Sequence, residues 1–130
     1  MDGPRICVVD DDPSFRKLCQ AILGPEGFTC IFVEDFSDTV DEVAAAAPDL
    51  VLVDLRLGAG FDGVEILAEL SANEQTNRIP VIICTAAHDL VNRHREWLDD
   101  LGCEIVEKPF DIDDLIAAIE RCLSPTALTE

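Results

Sequence analysis

Five short apolar runs, Ile6–Val9, Phe28–Val33, Leu50–Val53, Val81–Cys84 and Cys103–Val106, alternate along the chain with segments whose apolar residues recur at helical spacing. The runs "LVLV" at 50–53 and "VIIC" at 81–84 have no polar face, so each must be covered on both sides, as parallel strands are by the helices of their crossovers. The helical segments are carried by Phe15, Leu18, Cys19 and Ile22, by Val40, Val43, Ala44 and Ala47, and by Val64, Leu67 and Ala68. Two more are carried by Leu90, Val91, Trp97, Leu98 and Leu101, and by Ile112, Leu115, Ile116 and Ile119. Right-handed crossovers place helices on both faces of such a sheet, so these five strand–helix units predict an α/β fold, a doubly wound five-stranded parallel sheet with five helices. Gly24-Pro25 stops the first helix, Pro48 the second and Gly102 the fourth. No stretch has the composition of an interdomain linker; residues 1–123 are expected to form one domain and "SPTALTE", 124–130, a C-terminal tail.

With 130 residues and 48% apolar content the chain is large enough for one core. Asp and Glu number 27 against 9 Lys and Arg, and the formal net charge of -18 repels phosphate backbones and anionic lipid alike. Direct nucleic-acid or membrane binding is therefore not expected, whereas a divalent cation or a basic partner suits the charge. The cysteines, Cys7, Cys19, Cys30, Cys84, Cys103 and Cys122, include no Cys-x-x-Cys pair, and several sit inside apolar runs, where a thiol serves as a small hydrophobe. No apolar run approaches the roughly 20 residues that span a bilayer, and Met1 does not open a charged and apolar leader, so a reduced, cytoplasmic protein is expected.

Ligands of doubly wound folds bind at the carboxyl ends of the strands. Polar chemistry collects there: Asp10, Asp11 and Asp12 follow the first strand, Asp54 the third, Thr85 the fourth and Lys108 the fifth. Asp12 before Pro13 has the pattern of a helix N-cap with proline in the first helical position. Asp10, Asp11 and Asp54 have no such explanation. Two carboxylates about 4 Å apart repel by roughly 4 kcal/mol at an effective dielectric near 20, so a cluster of them calls for cations. Lys108 offers one, and Mg²⁺, which takes one or two carboxylates, keeps waters and accepts phosphate oxygens, suits the remainder. A carboxylate beside such an ion can attack phosphorus to give an aspartyl phosphate, with ion, ammonium and hydroxyl sharing the charge; Asp54, Lys108 and Thr85 fit those roles.

The stretches "VVDDD", "LVLVDLRL", "DGVEIL", "VIICTAAHD" and "EKPF", spread in order over nearly the whole chain, resemble the receiver domain of two-component response regulators. The resemblance implies a flavodoxin-like strand order 2-1-3-4-5 and phosphoryl transfer to Asp54 from a histidine kinase or phosphotransfer protein. It implies a Mg²⁺ site of Asp11, Asp10 (directly or through water), Asp54 and the Arg56 backbone carbonyl, with Thr85 and Lys108 on the phosphoryl group and a cis Lys108-Pro109 bond. It further implies an output surface for a downstream protein or self-association on the family's 4–5–5 face (α4-β5-α5 of the family, its fourth helix, fifth strand and fifth helix), here Asp89–Leu123. Such a domain signals and is not an enzyme beyond its own phosphorylation and dephosphorylation. Three positions depart from the pattern. The loop "LRLGAGFDG", 55–63, lacks the usual proline and is one residue longer before Asp-Gly. The Arg56 side chain either reaches over the phosphoryl site or is a solvated loop charge. Ile105 stands where many members carry a switching aromatic, and is read as core or interface.

Lesser features are read plainly: His88 and His94 on the surface, Trp97 as core or a partner-facing anchor, small Ala86 and Ala87 leaving the phosphoryl site open, and Asp111 capping the last helix. Two rival functions remain open to test. A phosphohydrolase of the haloacid dehalogenase type would use "DDDPS", with Asp10 attacking and Asp12 as acid, but gives Asp54 no role and lacks a cap insertion. A phosphate-independent interaction module would keep the fold without the chemistry.

Overall fold

The computed structural model describes residues 3–58 and 60–123; the first two residues and the expected tail, 124–130, lie outside the described residues. Five strands form one sheet: β1 (Arg5–Val9), β2 (Thr29–Phe32), β3 (Leu50–Val53), β4 (Val81–Thr85) and β5 (Glu104–Glu107). All neighbours are parallel and the order is β2-β1-β3-β4-β5. The helices are α1 (Pro13–Leu23), α2 (Thr39–Ala46, entered through a 3₁₀ turn at Phe36–Asp38), α3 (Gly63–Ala72), α4 (His88–Arg93), α5 (Arg95–Leu101) and α6 (Ile112–Leu123).

Local chemistry sets the helix ends. Asp12 Oδ1 accepts the Ser14 N–H at 2.9 Å and Pro13 opens α1, as the sequence predicts. Asp62 caps α3 in the same way through Val64 N–H. Gly102, at φ 76°, ends α5 in the left-handed region that a Cβ disfavours. Asp111 serves α6 through its backbone carbonyl, which accepts from Asp114 and Leu115.

Among the described residues the structure corrects the expected five helices to six. The segment read as one fourth helix breaks at His94, whose backbone (φ -111°, ψ 16°) leaves helical geometry. The break forfeits little: His94 N–H still donates to Leu90 O and His94 O still accepts from Leu98, while buried Val91 and Leu98 flank it. The imidazole instead meets Trp97 edge-on, centroids 5.9 Å apart. Strand β5 also runs one residue later than expected, 104–107, and as an edge strand carries Glu104 and Glu107 where only one side is paired.

Strand alternation splits the core across the sheet. Cys7, Val9, Val51, Val53 and Ile83 face α2, α3, α4 and α5. Ile6, Val8, Leu50, Leu52, Ile82 and Cys84 face α1 and α6. Two dry layers on one sheet are what strands without a polar face require. All six cysteines are free, and burial pushes the Cys7, Cys19 and Cys84 thiols up to about 12, which makes them packing groups. Among the described residues no helix is long and apolar enough to cross a membrane.

Candidate functional site

Because all five strands run the same way, their carboxyl ends share one edge of the sheet. Asp54 N–H donates to Val9 O at 3.1 Å, setting the residue after β3 beside the end of β1. Lys108 N–H donates to Thr85 O at 2.8 Å, setting the residue after β5 beside the end of β4. The ladder thereby delivers Asp10, Asp54, Thr85 and Lys108 to one point.

Lys108 Nζ lies 2.9 Å from Asp10 Oδ2 and 3.3 Å from Asp54 Oδ2, and 4.2 Å from the centroid of the Phe15 ring. Asp10 is 1% exposed and Asp54 9%. The second oxygen of Asp10 accepts the Asp12 N–H at 2.9 Å. Asp54 Oδ1 accepts both the Thr85 hydroxyl at 2.6 Å and the Arg56 N–H at 3.0 Å. Thr85 Oγ1 in turn accepts the Ala87 N–H at 3.1 Å, so the hydroxyl links the carboxylate to the start of α4. Asp11 is exposed and reaches across to the loop after β3, where its Oδ2 accepts the Gly58 N–H at 2.9 Å. A Cβ at Gly58 would stand 2.5 Å from that oxygen, so a side chain there would have to turn Asp11 aside. Lys108-Pro109 is cis.

Electrostatics follows this geometry. Desolvation pushes the Asp10 carboxyl above its ordinary range, opposed by the Asp12 N–H and Lys108 and reinforced by Asp54. Burial works to lower Lys108, but the Asp10 and Asp54 carboxylates outweigh it and hold the ammonium above its ordinary value. The sequence-predicted residues Asp10, Asp54, Thr85 and Lys108 are thus brought into direct contact, and Asp11 and Arg56 border them. Among the described residues no three acidic, histidine or cysteine side chains stand together as they would around a metal ion. The donor set is nevertheless all hard oxygen on an open edge, which matches an ion that uses one or two carboxylates and keeps several waters.

One supporting residue had no sequence signal. Arg16, on the first turns of α1, donates from Nε to Asp10 O at 2.8 Å and from Nη2 to Val33 O at 2.9 Å, with its guanidinium 5.6 Å from the Phe32 centroid. It ties the ends of β1 and β2 to the helix and fixes the loop that carries the acidic pair. The Arg56 side chain, left undecided by the sequence, pairs with Asp89 at 2.9 Å. His88 contacts Glu107 on the surface.

A buried carboxylate touched by a hydroxyl and an ammonium, at the carboxyl edge of an all-parallel 2-1-3-4-5 sheet, has the make-up of a receiver domain. The family model "response regulator receiver domain" matches residues 6–120, and the chain belongs to that family, the receivers of two-component phosphorelays. It is 34% identical over 122 residues to the DNA-binding transcriptional regulator NtrC of Escherichia coli (strain K12), an alignment covering 92% of this chain and 24% of that protein. It is 32% identical over 129 residues to the phosphate regulon transcriptional regulatory protein PhoB of the same organism, covering 97% of this chain and 56% of PhoB. The chain therefore spans about a quarter and about half of these curated relatives. Among solved structures, the receiver domain of the sensor histidine kinase PA1611 from Pseudomonas aeruginosa PAO1, with a magnesium ion coordinated in its active-site cleft, superposes with a TM-score of 0.78 at 28% identity, covering 93% of this chain and 98% of that one. The family match gives the phosphohydrolase reading no support, and Asp12, its acid, caps α1 through one oxygen.

Proposed function

We propose that Asp54 is the phosphoryl acceptor of this receiver and that phosphorylation alters its α4, α5, β5 and α6 surface to control a partner. The observation that carries the reading is the convergence of Thr85 Oγ1 and Lys108 Nζ on the two oxygens of one buried carboxylate. An Asp54 oxygen attacks phosphorus in line, the P–N bond of a donor phosphohistidine breaks, and the imidazole leaves with the bonding pair. Lys108 and Thr85 then stand beside the equatorial oxygens, where charge must be met by positioned donors. Asp10, Asp11, Asp54 and the Arg56 carbonyl would hold Mg²⁺, which supplies positive charge to the phosphoryl oxygens when bound.

The donor protein is a histidine kinase or phosphotransfer protein. An apolar groove of about 440 Å³ beside Lys108, walled by Phe15, Leu18, Pro109, Phe110 and Ile112, suits a donor helix, with Leu18 and Ile112 among the exposed large hydrophobics. The output is carried along β5 and α6. There a groove of about 530 Å³ runs between Ile105 and Glu107 of the strand and Ala117 and Arg121 of α6. Free, high-pKa thiols suit a reducing cytoplasm, and the net charge of -18 argues against direct contact with nucleic acid or membrane.

The test is intact mass after incubation with acetyl phosphate and Mg²⁺, for the native chain and Asp54→Asn in parallel. A single phosphoryl adduct that is lost on substitution and on chelation is expected. An adduct that persists in Asp54→Asn refutes the acceptor, and no adduct on the native chain favours the phosphate-independent module.

A further inference from the structure

Arg56 joins the acceptor to α4 by a route separate from Thr85. Its backbone N–H is donated to Asp54 Oδ1 at 3.0 Å, while its Nη2 lies 2.9 Å from Asp89 Oδ2 on the first turn of α4. The same Asp54 oxygen is tied to α4 through buried Thr85, whose hydroxyl accepts the N–H of Ala87; the Ala87 carbonyl then accepts from Leu90 and Val91. One carboxylate oxygen thus meets α4 twice, once through the core and once across the surface. Between α4 and the loop after β3 lies a groove of about 330 Å³ lined by Leu55, Phe61, Leu90 and His94, so the ion pair joins segments that are not closely packed. Position 105 carries no aromatic lever: Ile105 is half-buried and packs on the core.

We propose that Arg56 is a further phosphoryl-binding residue, held against Asp89 while Asp54 is unmodified and transferred to the phosphoryl oxygens when Asp54 is loaded, so that loading releases α4 from the β3–α3 loop. The inference rests on Asp54 being the acceptor. Three observations favour the exchange. The Arg56 and Asp89 side chains are 62% and 58% exposed, and a pair so open to water is weak and readily broken. A phosphoryl group offers the guanidinium fork more charge and more acceptor oxygens than one carboxylate does. The backbone anchor on Asp54 already places Arg56 beside the reacting carboxylate, so the change is confined to side-chain torsions.

Trp97, the chain's one tryptophan, sits on α5 against His94 and reports on this region. Beryllium fluoride is titrated in Mg²⁺ into the native chain, Asp89→Asn, Arg56→Gln and the double variant, with Trp97 fluorescence as signal. Both side chains are more than half exposed, so the variants are expected to fold. Asp89→Asn is expected to tighten beryllium fluoride binding by about two- to five-fold, the range open to an exposed ion pair. Arg56→Gln is expected to weaken binding, and in that background Asp89→Asn to change nothing, a non-additivity that a merely structural role does not produce. The lifetime of the phosphoryl adduct, followed by intact mass, gives the same comparison without the fluorophore and is expected to be longer in Asp89→Asn than in Arg56→Gln. Equal effects of Asp89→Asn in both backgrounds, or none in either, overturn the exchange. A native chain that takes no adduct overturns the acceptor and this inference together; an adduct with Arg56 and Asp89 uncoupled overturns this inference alone.

Discussion

Replacing Lys108 with methionine isolates the charge at the centre of the site. The substitution keeps an aliphatic stem against Phe15, whose ring centroid lies 4.2 Å from Nζ, and removes the ammonium that touches Asp10 at 2.9 Å and Asp54 at 3.3 Å. Two carboxylates, 1% and 9% exposed, then share one pocket without a counter-ion. Removing one partner of a buried pair costs about 3–5 kcal/mol. Protonation caps that cost. Measured from the ordinary Asp value of 3.8, at about 1.4 kcal/mol per pH unit, forcing a proton onto Asp10 costs about 4 kcal/mol at pH 7 and about 2 kcal/mol at pH 5.5. Lys108→Met is therefore expected to destabilise the fold by about 3–4 kcal/mol at pH 7 and by about half as much at pH 5.5. The sign follows from Asp10. Desolvation already raises its folded value above the unfolded one, so its contribution to stability is complete below pH 3.8 and is lost as pH rises through the folded value. Without Lys108 that window extends towards neutrality. Urea denaturation of both proteins at the two pH values, in Mg²⁺-free buffer, measures the difference. A loss of stability that is the same at pH 5.5 and pH 7 would refute the electrostatic account and assign Lys108 to packing alone.

Two further substitutions probe the frame around Asp54. Thr85→Ala leaves the buried Ala87 N–H without its acceptor and is expected to cost about 1–3 kcal/mol in urea denaturation, while the adduct on Asp54 still forms and the Trp97 response to beryllium fluoride is reduced to what the Arg56 route carries. An undiminished response in Thr85→Ala would show that the hydroxyl does not carry coupling, and Thr85→Ser should keep the full response. Gly63→Ala places a Cβ 2.0 Å from Asp54 O and 2.6 Å from Leu55 Cα, backbone atoms with no freedom to turn aside. It is expected to cost about 3 kcal/mol and to lower adduct yield by displacing Asp54; a midpoint in urea within error of the native chain would be incompatible with the close approach of the start of α3 to the backbone of Asp54 and Leu55.

The layers and the site were legible for the same reason. Strands such as Leu50–Val53 have no polar residue to face water, so helices must cover both sides, and parallel strands must end on one edge. Any polar residue following a strand then falls on that edge, which is why the sequence alone groups Asp10, Asp54, Thr85 and Lys108. Strand order has no comparable local cause: several arrangements of five parallel strands bury the same runs, and 2-1-3-4-5 came with the family resemblance. The break at His94 left no mark because neither glycine nor proline stands there, and Val91 and Leu98 keep a helical interval across it. Arg16 escaped because its partners, Asp10 O and Val33 O, are backbone atoms that every residue possesses. The Arg56–Asp89 pair spans 33 residues between a loop side chain and the first turn of α4, a distance over which periodicity says nothing. Pattern reaches what the chain must bury and where its strands must end. Of the two contacts that tie Asp54 to α4, the one through Thr85 is buried and the one through Arg56 and Asp89 is exposed and weak, and the proposed exchange acts on the second.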